Sequence, residues 1–126
     1  MDDLYRDEIL EHYRNPHNFG TLAQPDVTLE GMNPLCGDRL TLSLAFDEGH
    51  VADVAFTGRG CAVSVASASM LTDEIKGRPI SEVDALTNQD VIDNLGIELS
   101  PARLKCALLP LDTLHKALVQ SGRHAA

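Results

Sequence analysis

The chain has 126 residues, of which 44% are hydrophobic and 23% charged, which is a composition typical of one globular domain around one core. Its formal charge of −9 argues against nucleic acid and against anionic membrane surfaces as main partners, because both attract cationic proteins. No apolar run reaches the roughly 18 residues of a membrane helix, so the sequence predicts no membrane span.

The first predicted element is an amphipathic helix over residues 2–15, because an apolar side chain recurs every four residues. The apolar stripe consists of Tyr5, Ile9 and Tyr13. Asp2 or Asp3 is expected to cap the helix, and Asn15-Pro16 to end it. The next residues, 17–25, are rich in turn formers and predict a loop.

Strands follow this loop. Apolar and polar residues alternate in "RLTLSLAF" (39–46) and in "VADVAFTG" (51–58), on either side of a turn at residues 47–50. This pattern predicts an antiparallel hairpin with one buried face. The segment "VTLEGM" (27–32) is expected to add a third strand.

Helices are predicted after residue 61. One runs from Cys61 to Gly77, and its small residues predict close packing against the sheet. Ser81 and Asp84 resemble a capping box for a short helix over 82–87. A further short helix is expected to be capped by Asn88 and to end at Gly96.

The last predicted helix begins between residues 106 and 109 and runs to about Gln120, because Pro110 is tolerated only in a first helical turn. Strands followed by helices predict an α+β fold, in which a small antiparallel sheet carries helices mainly on one face.

The three cysteines are expected to be reduced. The N-terminal stretch is acidic and amphipathic, unlike a signal peptide, which favours a cytoplasmic location and free thiols. An odd number of cysteines argues against a disulfide framework, and the absence of a CxxC pair argues against a thioredoxin-like redox site.

Each cysteine is predicted to lie at a junction between elements. Cys36 precedes the hairpin, Cys61 follows it at a helix start, and Cys106 lies just before the last helix. Junctions at one end of a layered fold can converge, and three thiols with the Asp38 carboxylate form a four-ligand set for a thiophilic metal. A single free cysteine is as often a small buried hydrophobe, and a single aspartate is more often a turn residue.

Lys105, next to Cys106, is interpreted as a solvated charge that, if it lies in the site, lowers a thiol pKa or steers an anionic partner. The histidines show no metal-ligand spacing and are interpreted as surface residues; they are His12, His17, His50, His115 and His124. Two alternatives to a sulfur-handling metal site stay open, namely a purely structural zinc-binding module and a thiol enzyme with a nearby base.

Four segments, "LYRDEILEHYRNPHNFG", "MNPLCGD", "GRGCAVSVASASMLTDEIKG" and "PARLKCALL", together resemble the SufU/IscU family, also called the NifU N-terminal domain family. Its members are scaffold and sulfur-acceptor proteins of iron–sulfur cluster assembly. The resemblance covers nearly the whole chain and implies a single domain over 1–126, with a three-stranded antiparallel sheet.

The resemblance also implies the chemistry. The family's metal ligands correspond to Cys36, Asp38, Cys61 and Cys106, which would hold zinc or a nascent 2Fe–2S cluster. The implied partners are a pyridoxal-phosphate-dependent cysteine desulfurase, which hands over persulfide sulfur, and apo iron–sulfur recipient proteins. The implied role is that of a scaffold or sulfur-transfer protein, including zinc-dependent sulfurtransferase action, rather than that of a conventional enzyme.

Within the family the chain resembles the SufU branch in three features, of which the segment "ASASMLTD" (66–73) is one. Lys105 stands where IscU-type members carry histidine, and "LSPAR" (99–103) replaces their Leu-Pro-Pro-Val-Lys chaperone motif. The stretch between Cys61 and Cys106 has the shorter, IscU-like length. The SufU-like features imply Cys36 as the sulfur acceptor, with Cys106, the IscU-type acceptor, as the alternative.

Overall fold

The computed structural model describes residues 7–34 and 37–123. The start of the predicted first helix, with Tyr5 and both candidate caps, lies outside these residues, as do Cys36 and His124. The elements in chain order are α1 (Asp7–Arg14), β1 (Val27–Asn33), β2 (Asp38–Asp47), β3 (His50–Arg59), α2 (Ala62–Ile75), α3 (Ile80–Asp84), α4 (Asn88–Leu95) and α5 (Pro101–Gln120).

The three strands form one antiparallel sheet in the order β1-β2-β3, as the alternating pattern and the family resemblance predicted. The turn between β2 and β3 places Glu48 and Gly49 in the left-handed region, with φ of 50° and 78°. On the core face, Leu42 pairs with Leu29 of β1 and with Phe56 of β3. The apolar residues of the alternating pattern therefore form the buried face of the sheet.

The free edge of β3 is covered by the loop that follows α1. The Phe56 amide donates to the Asn18 carbonyl at 2.9 Å, and the Gly20 amide donates to the Phe56 carbonyl at 2.8 Å. The Phe19 ring meets the Phe56 ring edge-on, with centroids 5.3 Å apart. These contacts satisfy backbone groups that an uncovered strand edge would expose.

Helix α2 is the central helix, since α1, α5 and β3 all pack against it. Its small residues are buried, as expected, but they mediate helix–helix contact as well as contact with the sheet. The Ser67 hydroxyl donates to the Ala107 carbonyl of α5 at 2.6 Å. In α1, Ile9 is fully buried whereas Tyr13 is 44% exposed, so the predicted apolar stripe is narrower than expected.

The prediction for the last helix was wrong at its N-terminus. Helix α5 begins at Pro101, the Ser100 hydroxyl accepts from the Arg103 amide as N-cap, and Pro110 lies in the helix interior. Cys106 is therefore a residue of the helix and not of a junction. Pro110 is buried together with Leu109 and Leu111, so apolar packing offsets the lost intrahelical hydrogen bond.

The predicted caps of the two short helices were also wrong. Helix α3 covers Ile80–Asp84 after Pro79, so Ser81 lies inside the helix rather than at its start. Helix α4 is capped by Thr87, one residue before the expected Asn88, and Thr87 forms a reciprocal capping box with Asp90. The predicted end at Gly96, with φ of 66°, is confirmed.

Over residues 7–34 and 37–123, none of the helices combines the length and the apolar character that crossing a bilayer requires.

Gly31 of β1 lies where α5 crosses the sheet. A Cβ at this position would lie 2.0 Å from Thr113 Oγ1, whose hydroxyl donates to the Leu109 carbonyl at 2.8 Å. We expect Gly31→Ala to lower the free energy of unfolding by about 1–3 kcal/mol, as overpacking typically does, measured by urea denaturation. Gly31→Ala combined with Thr113→Ala should cost less than the sum of the two single changes; simple additivity would contradict the contact.

Candidate metal centre

Asp38 is placed by the hairpin between β1 and β2. Asn33 and Asp38 are the last paired residues of that hairpin, and the Gly37 amide donates to the Asn33 carbonyl at 2.8 Å. Gly37 has φ of 76°, a conformation that residues with a Cβ rarely adopt. The Asp38 side chain is buried, with 3% exposure, although it is a carboxylate at the end of a sheet.

Cys61 lies at the junction of β3 and α2, as predicted, and is the N-cap residue of α2. Its thiol lies 3.9 Å from Asp38 Oδ2 and is oriented to donate to it. Gly60, just before it, admits the carboxylate, because a Cβ there would lie 2.7 Å from both Asp38 Cγ and Asp38 Oδ1. The glycine therefore keeps space for Asp38 beside the cysteine.

Cys106 reaches the same point from the second turn of α5, and it is buried. One ligand atom each from Asp38, Cys61 and Cys106 lie within 4.8 Å of one another. Sulfur ligands of one tetrahedral zinc are about 3.8 Å apart, so small side-chain movements bring these atoms to bonding positions. The structure thus brings together three of the four predicted ligands, and the fourth, Cys36, lies outside the described residues.

These three residues line an open cleft of about 460 Å³. Two arginines, Arg59 of β3 and Arg103 of α5, also line it. The sequence did not single them out, because nothing in their local pattern marks them and only the fold places them beside the cysteines. Their positive charges offset the negative charge of a site built from thiolates and a carboxylate.

Lys105 is exposed and lies in a different groove, of about 510 Å³, that Met32, Pro34 and Leu108 also line. The groove lies between the end of β1 and α5, whereas Arg103 faces the cysteine cleft. Within the described residues, the cationic groups that line the cleft are therefore the two guanidinium groups.

A second cluster of metal-ligating side chains was missed from the sequence. His12 of α1, His17 of the following loop and Asp73 of α2 each offer a ligand atom within 4.8 Å of the others. His12 and His115 are half-buried, which corrects their interpretation as surface residues, whereas His17 and His50 are exposed. Their sequence spacing gives no signal, because the third member lies more than fifty residues away on another helix.

Comparison with protein families assigns residues 4–125 to a model described as the NifU-like N terminal domain. The zinc-dependent sulfurtransferase SufU of Bacillus subtilis (strain 168) is 36% identical, over 95% of this chain and 92% of SufU. The iron–sulfur cluster assembly enzyme IscU of Drosophila melanogaster is 39% identical, over 91% of this chain and 76% of IscU. Both branches anticipated from the motifs are therefore represented among its relatives.

Solved structures share the fold. A nitrogen-fixing NifU-like protein (N-terminal) from Brucella abortus superposes with a TM-score of 0.81 at 26% identity, covering 98% of each chain. An iron–sulfur cluster assembly scaffold protein for the SUF system from Fervidobacterium islandicum AW-1 gives a TM-score of 0.72 at 31% identity, covering 91% of this chain and 96% of that one. The sheet and helices described above are thus the architecture of these proteins.

Proposed function

The chain belongs to the NifU-like N-terminal domain family, and on that premise we propose that it is an iron–sulfur cluster assembly protein. It accepts persulfide sulfur from a cysteine desulfurase, or scaffolds a nascent 2Fe–2S cluster, at one site. The observation that carries this proposal is the convergence of Asp38, Cys61 and Cys106 at an open cleft.

The donor set fits zinc. Two thiols and a carboxylate face one point, and Gly60 leaves the space that the carboxylate occupies. Cys36 is two residues from Asp38 in the chain, and two residues span at most about 7 Å, which supports Cys36 as the fourth ligand. When bound, zinc would keep the cysteines as thiolates and tie the β1–β2 hairpin, α2 and α5 together.

Cys36 is proposed as the sulfur acceptor, with Cys106 as the alternative. Its thiolate attacks the outer sulfur of the desulfurase persulfide, a new S–S bond forms on Cys36, and the desulfurase cysteine leaves as a thiolate. The burial of Cys106, at 4% exposure, supports this choice, because an acceptor must be reached by a partner's persulfide.

An iron–sulfur cluster is the cargo of the scaffold role. Thiolates are the usual cluster ligands, and a single carboxylate in an exposed cleft suits a cluster that has to leave for an apo recipient protein. The protein turns over no small-molecule substrate in this account; its sulfurtransferase role corresponds to the name of its relative SufU. Reduced thiols are required throughout, so we place the protein in the cytoplasm.

The arginines and Lys105 support the site electrostatically. Arg59 and Arg103 line the cleft and counter the charge of thiolates and persulfide. Lys105, exposed in the neighbouring groove, is proposed to steer an anionic surface of the desulfurase.

The direct test is the rate of alanine release by a cognate desulfurase with and without this protein, together with zinc, iron and acid-labile sulfide measured after anaerobic purification. The proposal predicts faster alanine release, and either stoichiometric zinc or about two iron and two sulfide per cluster. A purely structural zinc module would hold zinc and leave the desulfurase rate unchanged.

Gly60→Ala tests the carboxylate ligand without touching it. The added Cβ would lie 2.7 Å from the Asp38 carboxyl and 3.0 Å from Ser64 Oγ, so Asp38 must move away from Cys61. We expect zinc affinity, measured by chelator competition, to fall by about 10–100-fold, as when residues supporting a metal ligand are lost. In an Asp38→Ala background the same change should have no further effect; an equal loss in both backgrounds would contradict this explanation.

A further inference from the structure

We propose that His12, His17 and Asp73 form a second metal site, which binds a divalent first-row transition ion and bridges α1 to α2. This inference does not rest on the proposed function, because none of the three residues belongs to the cysteine cleft.

The three side chains already converge. His17 Nδ1 lies 2.5 Å from Asp73 Oδ2, and the rings of His12 and His17 are 4.5 Å apart between centroids. One ligand atom from each residue lies within 4.8 Å of the others, and ligands of a tetrahedral zinc are about 3.3 Å apart at nitrogen and oxygen bond lengths. An ion bound by these atoms would replace the direct hydrogen bond between His17 and Asp73.

Neighbouring groups orient each ligand, as is usual around protein-bound metals. Ser69 Oγ lies 2.6 Å from His12 Nδ1 and accepts from the His17 amide at 2.8 Å. The Asn18 side-chain amide donates to Asp73 Oδ1 at 2.9 Å. These contacts hold the His12 ring, the His17 backbone and the Asp73 carboxylate in their mutual arrangement.

The surroundings favour a cation. His12 and Asp73 line a cleft of about 330 Å³ together with Glu8 and with Glu74, whose carboxylate is ion-paired with Arg78 at 3.2 Å. Burial, followed by the neighbouring His17, lowers the pKa of His12. The chain as a whole carries a formal charge of −9.

The two sites differ in position and chemistry. Asp73 lies twelve residues after Cys61, which places it roughly 18 Å further along α2. The donor set of the second site is two imidazoles and one carboxylate, without sulfur. Three protein ligands leave one coordination position of the ion open. Such a site suits zinc, iron(II) or cobalt(II) held reversibly, and occupation would fasten α1 to α2.

The test is equilibrium dialysis of the tag-free, reduced protein against zinc. The proposal predicts that the wild type binds one equivalent of zinc at this site. The affinity for this zinc should fall at least about tenfold in both His17→Gln and Asp73→Asn, and should be unchanged in the control variants His50→Gln and His115→Gln. Zinc that depends on Cys61 should be unaffected by all four changes. Two results would overturn the proposal: weaker zinc binding in the control variants alone, or a wild-type protein that binds no such zinc with a dissociation constant below about 100 μM.

Amide hydrogen exchange gives a second measure of zinc binding at this site that does not depend on counting zinc per chain. Excess zinc should slow exchange in α1 of the wild type, because the ion fixes this helix to α2, and it should not do so in His17→Gln. His17 is exposed, so this variant is expected to fold normally. Equal protection of α1 by zinc in wild type and variant would show that the ion binds elsewhere.

Discussion

Replacing Cys106 by serine should remove stoichiometric zinc from the cysteine cleft. Cys106 is the one member of the Asp38, Cys61 and Cys106 cluster that α5 supplies, so its loss removes the contribution of this helix to the site. We expect zinc affinity, measured by chelator competition, to fall by more than about a hundredfold, which exceeds the loss typical of groups that only support a ligand. The zinc-dependent increase in melting temperature should disappear with it.

Ala102→Ser is the matched control for this variant. Ala102 lies one turn earlier on α5 and lines the same cleft, but it offers no ligand. Its zinc content and melting temperature should equal those of the wild type. Full zinc retention by Cys106→Ser would show that Cys106 is a buried apolar residue rather than a ligand, which is the alternative that its burial alone leaves open.

Replacing Cys36 by serine should abolish sulfur acceptance. A serine hydroxyl does not attack a persulfide at neutral pH, so sulfur transfer is expected to fall by more than about a hundredfold, since removal of a covalent nucleophile costs several orders of magnitude. The measurement is alanine release by the desulfurase under excess cysteine, combined with mass spectrometry of trapped persulfides. In the wild type the extra sulfur should be found on the peptide that contains Cys36.

The Cys36→Ser variant alone does not show whether Cys36 acts as a metal ligand or as the sulfur acceptor, since both roles need the same thiol. The position of the trapped sulfur in the wild type distinguishes the two roles. Sulfur found on Cys106 in the wild type, and still formed in Cys36→Ser, would contradict the assignment and favour Cys106 as the acceptor.

The sheet was predictable because strand alternation is a local property. "RLTLSLAF" and "VADVAFTG" carry an apolar side chain at every second position, and the strands bury Leu42 and Phe56 accordingly. The caps were less predictable, because Thr87, Asn88 and Asp90 all favour helix starts and the choice depends on the two hydrogen bonds of the Thr87–Asp90 capping box.

The last helix was mispredicted because tertiary packing overrode a local rule. Pro110 normally ends or begins a helix, yet its ring is buried in α5 and the helix continues across it. The capping signal at Ser100-Pro101 was present in the sequence and identifies the true start.

The grouping of Asp38, Cys61 and Cys106 was predictable because chemistry marks these residues individually. Three cysteines in a chain with no disulfide pattern, with a carboxylate beside one of them, indicate a metal site whatever their separation. Arg59 and Arg103 carry no such mark, nor do His12, His17 and Asp73, since ordinary surfaces contain many charged and imidazole side chains. The two arginines are brought together by the packing of α5 against the sheet, and the histidine cluster by the packing of α1 against α2.

The central claim is that Cys36, Asp38, Cys61 and Cys106 surround one metal ion. X-ray absorption at the zinc edge tests it most directly, with His17→Gln used so that zinc at the proposed second site does not contribute. The account predicts three sulfur neighbours at about 2.3 Å and one oxygen neighbour at about 2.0–2.2 Å. A zinc environment with at most one sulfur neighbour would contradict it.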